Sequence, residues 1–132
     1  MSEFTEIQRE ETAVQFVRVP DGLDAIARAW DELEAVVALR ERHFYGAYDP
    51  AADDYRACVE VRDGDALAPK LESGMLPGGR YLRAHLHGEP PAIYERIGPT
   101  FEALIREAKP DETRPSLEHD RRRDEIDLLL PI

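Results

Sequence analysis

Apolar and polar positions alternate with two different periods along the chain, and the switches between them lay out its elements. Over residues 80–87 (RYLRAHLH), Leu82, Ala84 and Leu86 fall on one side and Tyr81, Arg83, His85 and His87 on the other, the period of a half-buried strand. Pro77-Gly78-Gly79 before it is a turn, because Pro presets φ and Gly admits conformations other residues avoid. Gly88 and Pro90-Pro91 end the strand and open a helix. Thr12–Pro20 (TAVQFVRVP) reads as another strand, closed by Pro-Asp-Gly. Over residues 22–42 the period changes. Leu23, Ile26, Trp30, Leu33 and Val37 recur at three- and four-residue steps, with Arg28, Asp31, Glu32, Glu34 and Arg40 opposite, which predicts an amphipathic helix with Asp21 as N-cap. Residues 43–48 and 55–62 follow as two strands around a polar connection containing Pro50. Residues 63–76 read as a linker with at most a short edge strand over 71–75.

The same order then returns: strand 80–87, helix 92–108, and strands 115–122 and 125–131. A shift of 71 residues lays Ile26 on Ile97, Trp30 on Phe101, Leu33 on Leu104 and Pro20 on Pro91. Agreement of stripe, breaker and element order indicates an internal duplication, with pseudo-repeats over about residues 12–62 and 80–131 of one ligand-binding domain spanning 1–132. Gly98-Pro99 predicts a kink in the second helix. The expected fold is α+β: duplicated strand–helix–strand–strand units forming an antiparallel six-stranded sheet or open barrel, a helix on each outer side, and a central cleft suited to a small ligand.

Charge bears on partners rather than on fold. Asp and Glu number 28 against 17 Lys and Arg, a formal −11, spread along the chain. That opposes direct nucleic-acid binding, where cationic surface must displace counterions, and leaves a cationic ligand open. The single Cys58 excludes an internal disulfide and a multi-cysteine metal site and fits a reducing, cytoplasmic setting. No stretch approaches the roughly 20 apolar residues of a membrane span, and MSEFTEIQRE lacks the basic and apolar regions of a signal peptide, so a soluble protein without membrane contact is expected.

Several pieces carry a resemblance. They are TAVQFVRVP, Trp30-x-x-Leu33, Gly46-Ala47-Tyr48-Asp49-Pro50 with Tyr55-Arg56-Ala57-Cys58-Val59 after it, the LPGGRY turn-strand with Gly88, Arg114-Pro115 followed by Glu118, and the closing Leu130-Pro131-Ile132. Their order and spacing, over essentially the whole chain, resemble the GyrI-like small-molecule binding family, the effector-binding module of AraC-type and multidrug-sensing MerR-type transcription regulators. The resemblance implies the duplicated fold and a central pocket lined by aromatic side chains, with a buried acidic residue that meets cationic or polar ligands. By position, Glu118 matches the pocket carboxylate, and Tyr48 and Trp30 match recurrent aromatic positions. The chain departs from the pattern at Leu117 and His119, where aromatics are frequent, and at His85 and His87, which flank Leu86 where a His is often seen. No helix-turn-helix precedes these pieces.

On strand periodicity alone Glu118 alternates with Leu117 and faces solvent. On the resemblance it lines the pocket, where burial would raise its pKa and let it pair with a cation beside aromatic faces or act as a general base toward water. Tyr45, Tyr48, Tyr55 and Tyr81 on strands or their ends, of which at most some line the pocket, and Trp30 and Phe101 on the helix stripes, are candidate ligand contacts, with cross-strand or core packing as the alternative for each. Tyr45 and Tyr48 cannot share a face of a regular strand. The face carrying Tyr81, His85 and His87 is expected to border the cleft. His85-x-His87 with His119 fixes no third ligand, so no metal and no cofactor is expected. Three functions follow. The first is binding of an amphiphilic, cationic or aromatic small molecule. The second is hydrolysis, as in stand-alone members that open cyclopropane-type cytotoxins, with Glu118 as general base. The third is a protein partner, as in gyrase inhibition.

Overall fold

The computed structural model describes residues 4–37 and 43–132. In chain order the elements are β1 (Thr5–Arg9), β2 (Thr12–Pro20), α1 (Leu23–Val36), β3 (Phe44–Asp49), β4 (Asp54–Glu60), β5 (Glu72–Leu76), β6 (Gly79–His87), α2 (Ala92–Glu95), α3 (Ile97–Glu107), β7 (Ser116–Arg122) and β8 (Glu125–Pro131). Helix α1 is shorter than its stripe predicts. Val37 carries the C-cap and returns its N–H to the Leu33 carbonyl, and the remainder of the expected helix, 38–42, lies outside the described residues. Gly22, not Asp21, is the N-cap, without a side-chain cap bond. The kink expected at Gly98-Pro99 falls at Arg96, where α2 ends and α3 begins. Pro99 therefore sits in the first turn of α3, where its missing N–H leaves no helical bond unmade.

The sheet has eight antiparallel strands in the order β1-β6-β8-β7-β3-β4-β2-β5, rather than six. Its inner six, β6-β8-β7 and β3-β4-β2, mirror one another about the central β3–β7 pair, in line with the repeated order of elements. The two extra strands lead the halves but pair across them: β1 hydrogen-bonds to β6 and β5 to β2. β1 has one strongly apolar residue, Ile7, so its pattern carries no strand signal, and pairing with β6 supplies what local sequence does not. Only two residues, Glu10 and Glu11, separate β1 at one end of the order from β2 near the other. The sheet must therefore curl until those ends approach.

Cross-strand partners share a face, so the registers separate the two sides of the curl. One row runs Ala57–Gly46–Glu118–Leu128–Ala84 across β4, β3, β7, β8 and β6, and the next runs Cys58–Tyr45–His119–Asp127–His85. The first row belongs to the face bearing both helices. Ala57 packs with Ala29 and Leu33 of α1, and Leu128 and Ala84 pack with Leu104 of α3. Leu33 and Leu104, equivalent under the 71-residue shift, are both fully buried. The second row looks into the curl, where Val14, Phe16, Cys58, Leu76, Tyr81, Leu117 and Leu129, with Ile7 against them, pack into one core drawn from the strands themselves. The helices thus share one face instead of standing on opposite sides, because the inner face is already filled by the sheet's own side chains. Among the described residues no helix is long and apolar enough to cross a membrane.

Candidate functional site

Between α1 and α3, on the face that carries them, the central β3–β7 pair forms the floor of a cleft of about 440 Å³. Two successive rungs make up that floor, Tyr48 beside Ser116 and Gly46 beside Glu118. Ile26 contributes from α1, Phe101 and Ile105 from α3, Tyr55 from β4 and Leu130 from β8, and Asp21, Asp111, Glu112 and Arg114 stand around it. The volume suits a drug-sized molecule.

Gly46 decides how the floor is built. A β-carbon there would stand 2.1 Å from the Tyr55 hydroxyl and 3.1 Å from Glu118 Oε2. The missing side chain on the middle strand lets a tyrosine from one neighbouring strand and a carboxyl from the other converge over bare backbone. Tyr55 is held in place by Trp30 of α1, whose indole Nε1–H donates to the hydroxyl at 3.1 Å, while Trp30 itself meets Phe44 edge-on at 6.2 Å between ring centroids. Tyr48 donates its hydroxyl to Asp53 at 3.0 Å, which pins its ring at the cleft.

Glu118 has no hydrogen-bond or ion-pair partner among the described residues. Burial, and then repulsion from Asp120, lift its pKa from 4.5 to about 7. Burial raises the Tyr55 hydroxyl as well, with the nearby Glu118 adding to the effect. The charge at the entrance is acidic. Arg114 is committed elsewhere: it donates to Asp111 at 2.9 Å and to the carbonyls of Gly78, Arg80 and Ile132, and lies over the Tyr81 ring. Hydrogen bonds from Thr113 and then Arg114 hold Asp111 down at about 2. Among the described residues no ion pair engages the side chains of Asp21, Glu112 or Glu118, so the cleft offers negative charge beside apolar walls.

Of the residues expected at the site, Glu118, Tyr48 and Phe101 line the cleft, and Trp30 stands behind its wall, touching it through Tyr55. Tyr45, Tyr81 and His85 do not reach it. The cross-strand registers place all three on the inner face of the curl, with the sheet between them and Glu118. Tyr45 accepts from Arg9 at 2.8 Å and stacks on His119 at 4.4 Å, and Tyr81 is fully buried, donating to the Pro77 carbonyl at 2.7 Å. His85 pairs with the buried Asp127 at 2.6 Å. The expectation that the Tyr81–His85–His87 face borders the cleft is thereby corrected: period two groups those side chains but does not say which side of the sheet they take. His87 pairs separately with Asp124 at 3.4 Å, and among the described residues no three ligands gather for a metal. Tyr55, another of the strand tyrosines, also lines the cleft, whereas no sequence signal gave Gly46 a part in the site. The four-residue turn between β3 and β4 sets Tyr48 opposite Tyr55, so a hairpin register read from that turn length puts both on one face, and the long-range β3–β7 register makes it the face of Glu118.

No protein-family model and no curated protein sequence matches the chain. Solved structures do resemble it. An integron cassette protein from the mobile metagenome of Vibrio cholerae superposes with a TM-score of 0.76 at 13% identity, covering 97% of this chain and 94% of that one. SAV2435 bound to tetraphenylphosphonium superposes at 0.70 and 15%, covering 98% and 93%. The C-terminal domain of EcmrR superposes at 0.65 and 11%, covering 97% and 95%. In the EcmrR–DNA complex the match, at 0.56, covers 55% of the regulator's chain. At these identities the likeness is one of fold alone, and it agrees with the fold that the resemblance to GyrI-like domains implies.

Proposed function

We propose that the cleft binds a small organic cation with an apolar or aromatic body, and that Glu118 supplies the countercharge. The observation that carries this reading is a half-buried carboxyl, without a partner among the described residues, in the floor of a cleft of about 440 Å³ between aromatic and aliphatic walls. An isolated carboxylate in such a place is held protonated, and a cation entering the cleft restores the ionised form while the rings of Tyr55, Tyr48 and Phe101 supply contact area. Unpaired acidic residues at the entrance favour the same sign of ligand. That a structure of the same fold, SAV2435, is bound to tetraphenylphosphonium supports the reading and provides a probe.

Trp30, the only tryptophan, is hydrogen-bonded to a wall residue of the cleft, so its emission reports occupancy. Titration with tetraphenylphosphonium should give a saturable change, and Glu118→Gln should weaken it by about tenfold to a hundredfold, the scale of a charge-assisted contact. No change with this or other lipophilic cations would sink the proposal.

A second reading rests on a separate observation. A carboxyl titrating near neutrality, with a tyrosine hydroxyl close by over Gly46, has the pKa and surroundings of a general base toward water, with Tyr55 in place to orient a strained electrophile such as a cyclopropane. Product detected by mass spectrometry and lost in Glu118→Gln would favour the hydrolase over the binder.

A further inference from the structure

The hydroxyl of Tyr55 has one hydrogen-bonding partner and a place for a second. Tyr55 is 4% exposed, and its side chain forms part of the cleft wall. The hydroxyl oxygen accepts the indole N–H of Trp30 at 3.1 Å, so its own proton is turned away from Trp30. A phenol is donor and acceptor at once, and among the described residues nothing accepts that proton. Burial first, and the Glu118 carboxyl second, keep the hydroxyl protonated. A buried donor left unmet is costly, and nearly all such groups find a partner. Gly46 sets where that partner stands. Measured from the position of a β-carbon there, the Tyr55 hydroxyl is 2.1 Å away and Glu118 Oε2 3.1 Å. A donor without an acceptor and a carboxyl without a counterion thus converge over one patch of bare backbone, where a single ligand segment meets both. A cation with a purely hydrocarbon body answers the carboxyl alone.

We propose that the cleft selects organic cations carrying an oxygen acceptor about two carbons from the charged nitrogen, an ether, hydroxyl or carbonyl, and that Tyr55 makes this selection. The nitrogen lies against Glu118, and the oxygen accepts from the Tyr55 hydroxyl. The inference rests on the cation-binding reading above and adds the ligand's polar group and the residue that reads it.

Two probes that differ at one position test it by calorimetric titration of the whole chain. 2-(Benzyloxy)ethyltrimethylammonium has an ether oxygen two carbons from the nitrogen, and 4-phenylbutyltrimethylammonium has a methylene in its place. The wild type should bind the ether about threefold to tenfold more tightly, the scale of one neutral hydrogen bond, although the ether is the more costly of the two to desolvate. Tyr55→Phe should abolish that preference and leave the methylene probe within about threefold, whereas Glu118→Gln should weaken both probes about equally. Comparing the two probes on the wild type needs no variant, and the melting temperature and Trp30 emission of Tyr55→Phe verify its fold. Equal binding of both probes by the wild type, or a preference that survives Tyr55→Phe, overturns selection by Tyr55 while the cation-binding reading stands. If neither probe nor tetraphenylphosphonium binds the wild type, both fall together.

Discussion

Glu118→Gln keeps the shape of the side chain and removes its proton equilibrium, which makes it a direct probe of the cleft. In the folded protein this carboxyl holds its proton to about pH 7 instead of 4.5, through burial first and Asp120 second. Below the lower value it is protonated folded or unfolded and contributes no pH dependence. Between the two values the unfolded chain has lost the proton and the folded one has not, so stability falls as pH rises, and the deficit is complete above the higher value. At 1.36 kcal/mol per pKa step, the folded wild type carries a penalty of about 3 kcal/mol at pH 8. Urea denaturation at pH 4, 5.5, 7 and 8 should give equal stabilities for the two proteins at pH 4 and a gap of about 2–3 kcal/mol in favour of the variant at pH 8. Saturating tetraphenylphosphonium at pH 8 should narrow that gap by stabilising the wild type alone. A difference between wild type and variant that stays constant across this range would refute the argument, since it would mean that Glu118 is ionised like an exposed carboxyl.

Gly46→Ala should weaken cation binding severely and cost about 1–3 kcal/mol in denaturation, because its β-carbon would stand 2.1 Å from the hydroxyl of Tyr55, a ring that is itself buried; wild-type affinity in this variant would show that the close approach over Gly46 does not shape the cleft. His85→Ala removes the Asp127 pair on the inner face and should leave cation affinity within about twofold, measured by Trp30 emission, since the sheet separates it from Glu118. Cys58, fully buried with its thiol pushed up to about 12, should react with a disulfide reagent only as fast as the chain unfolds, and rapid labelling of the native protein would contradict its place in the core.

Legibility of the fold followed the strength of each segment's own period. The stripes through Leu33 and Leu104 located α1 and α3, since each buries one face against the sheet. β1 escaped because TEIQR has no amphipathic pattern; its strand conformation comes from pairing with β6. At the site, Glu118 was legible through the spacing that carries the resemblance. Its strand alternation pointed to solvent, but neither face of β7 is free: Leu117 fills the curl and Glu118 lies under the helices. Tyr45, Tyr81 and His85 went to the wrong side because alternation within a strand gives relative orientation only, and the absolute side depends on how strands are joined in register.

The residues encoded the α+β class and the order of the central elements, since these rest on local periods. Tertiary structure decided the exchange of β1 and β5 between halves, the curl that fills one face with the sheet's own core, and the placement of both helices on the other. It also brought Tyr55 and Glu118 together over Gly46. Those are consequences of cross-strand pairing between segments far apart in sequence, and no local pattern records which of two faces such pairing will choose.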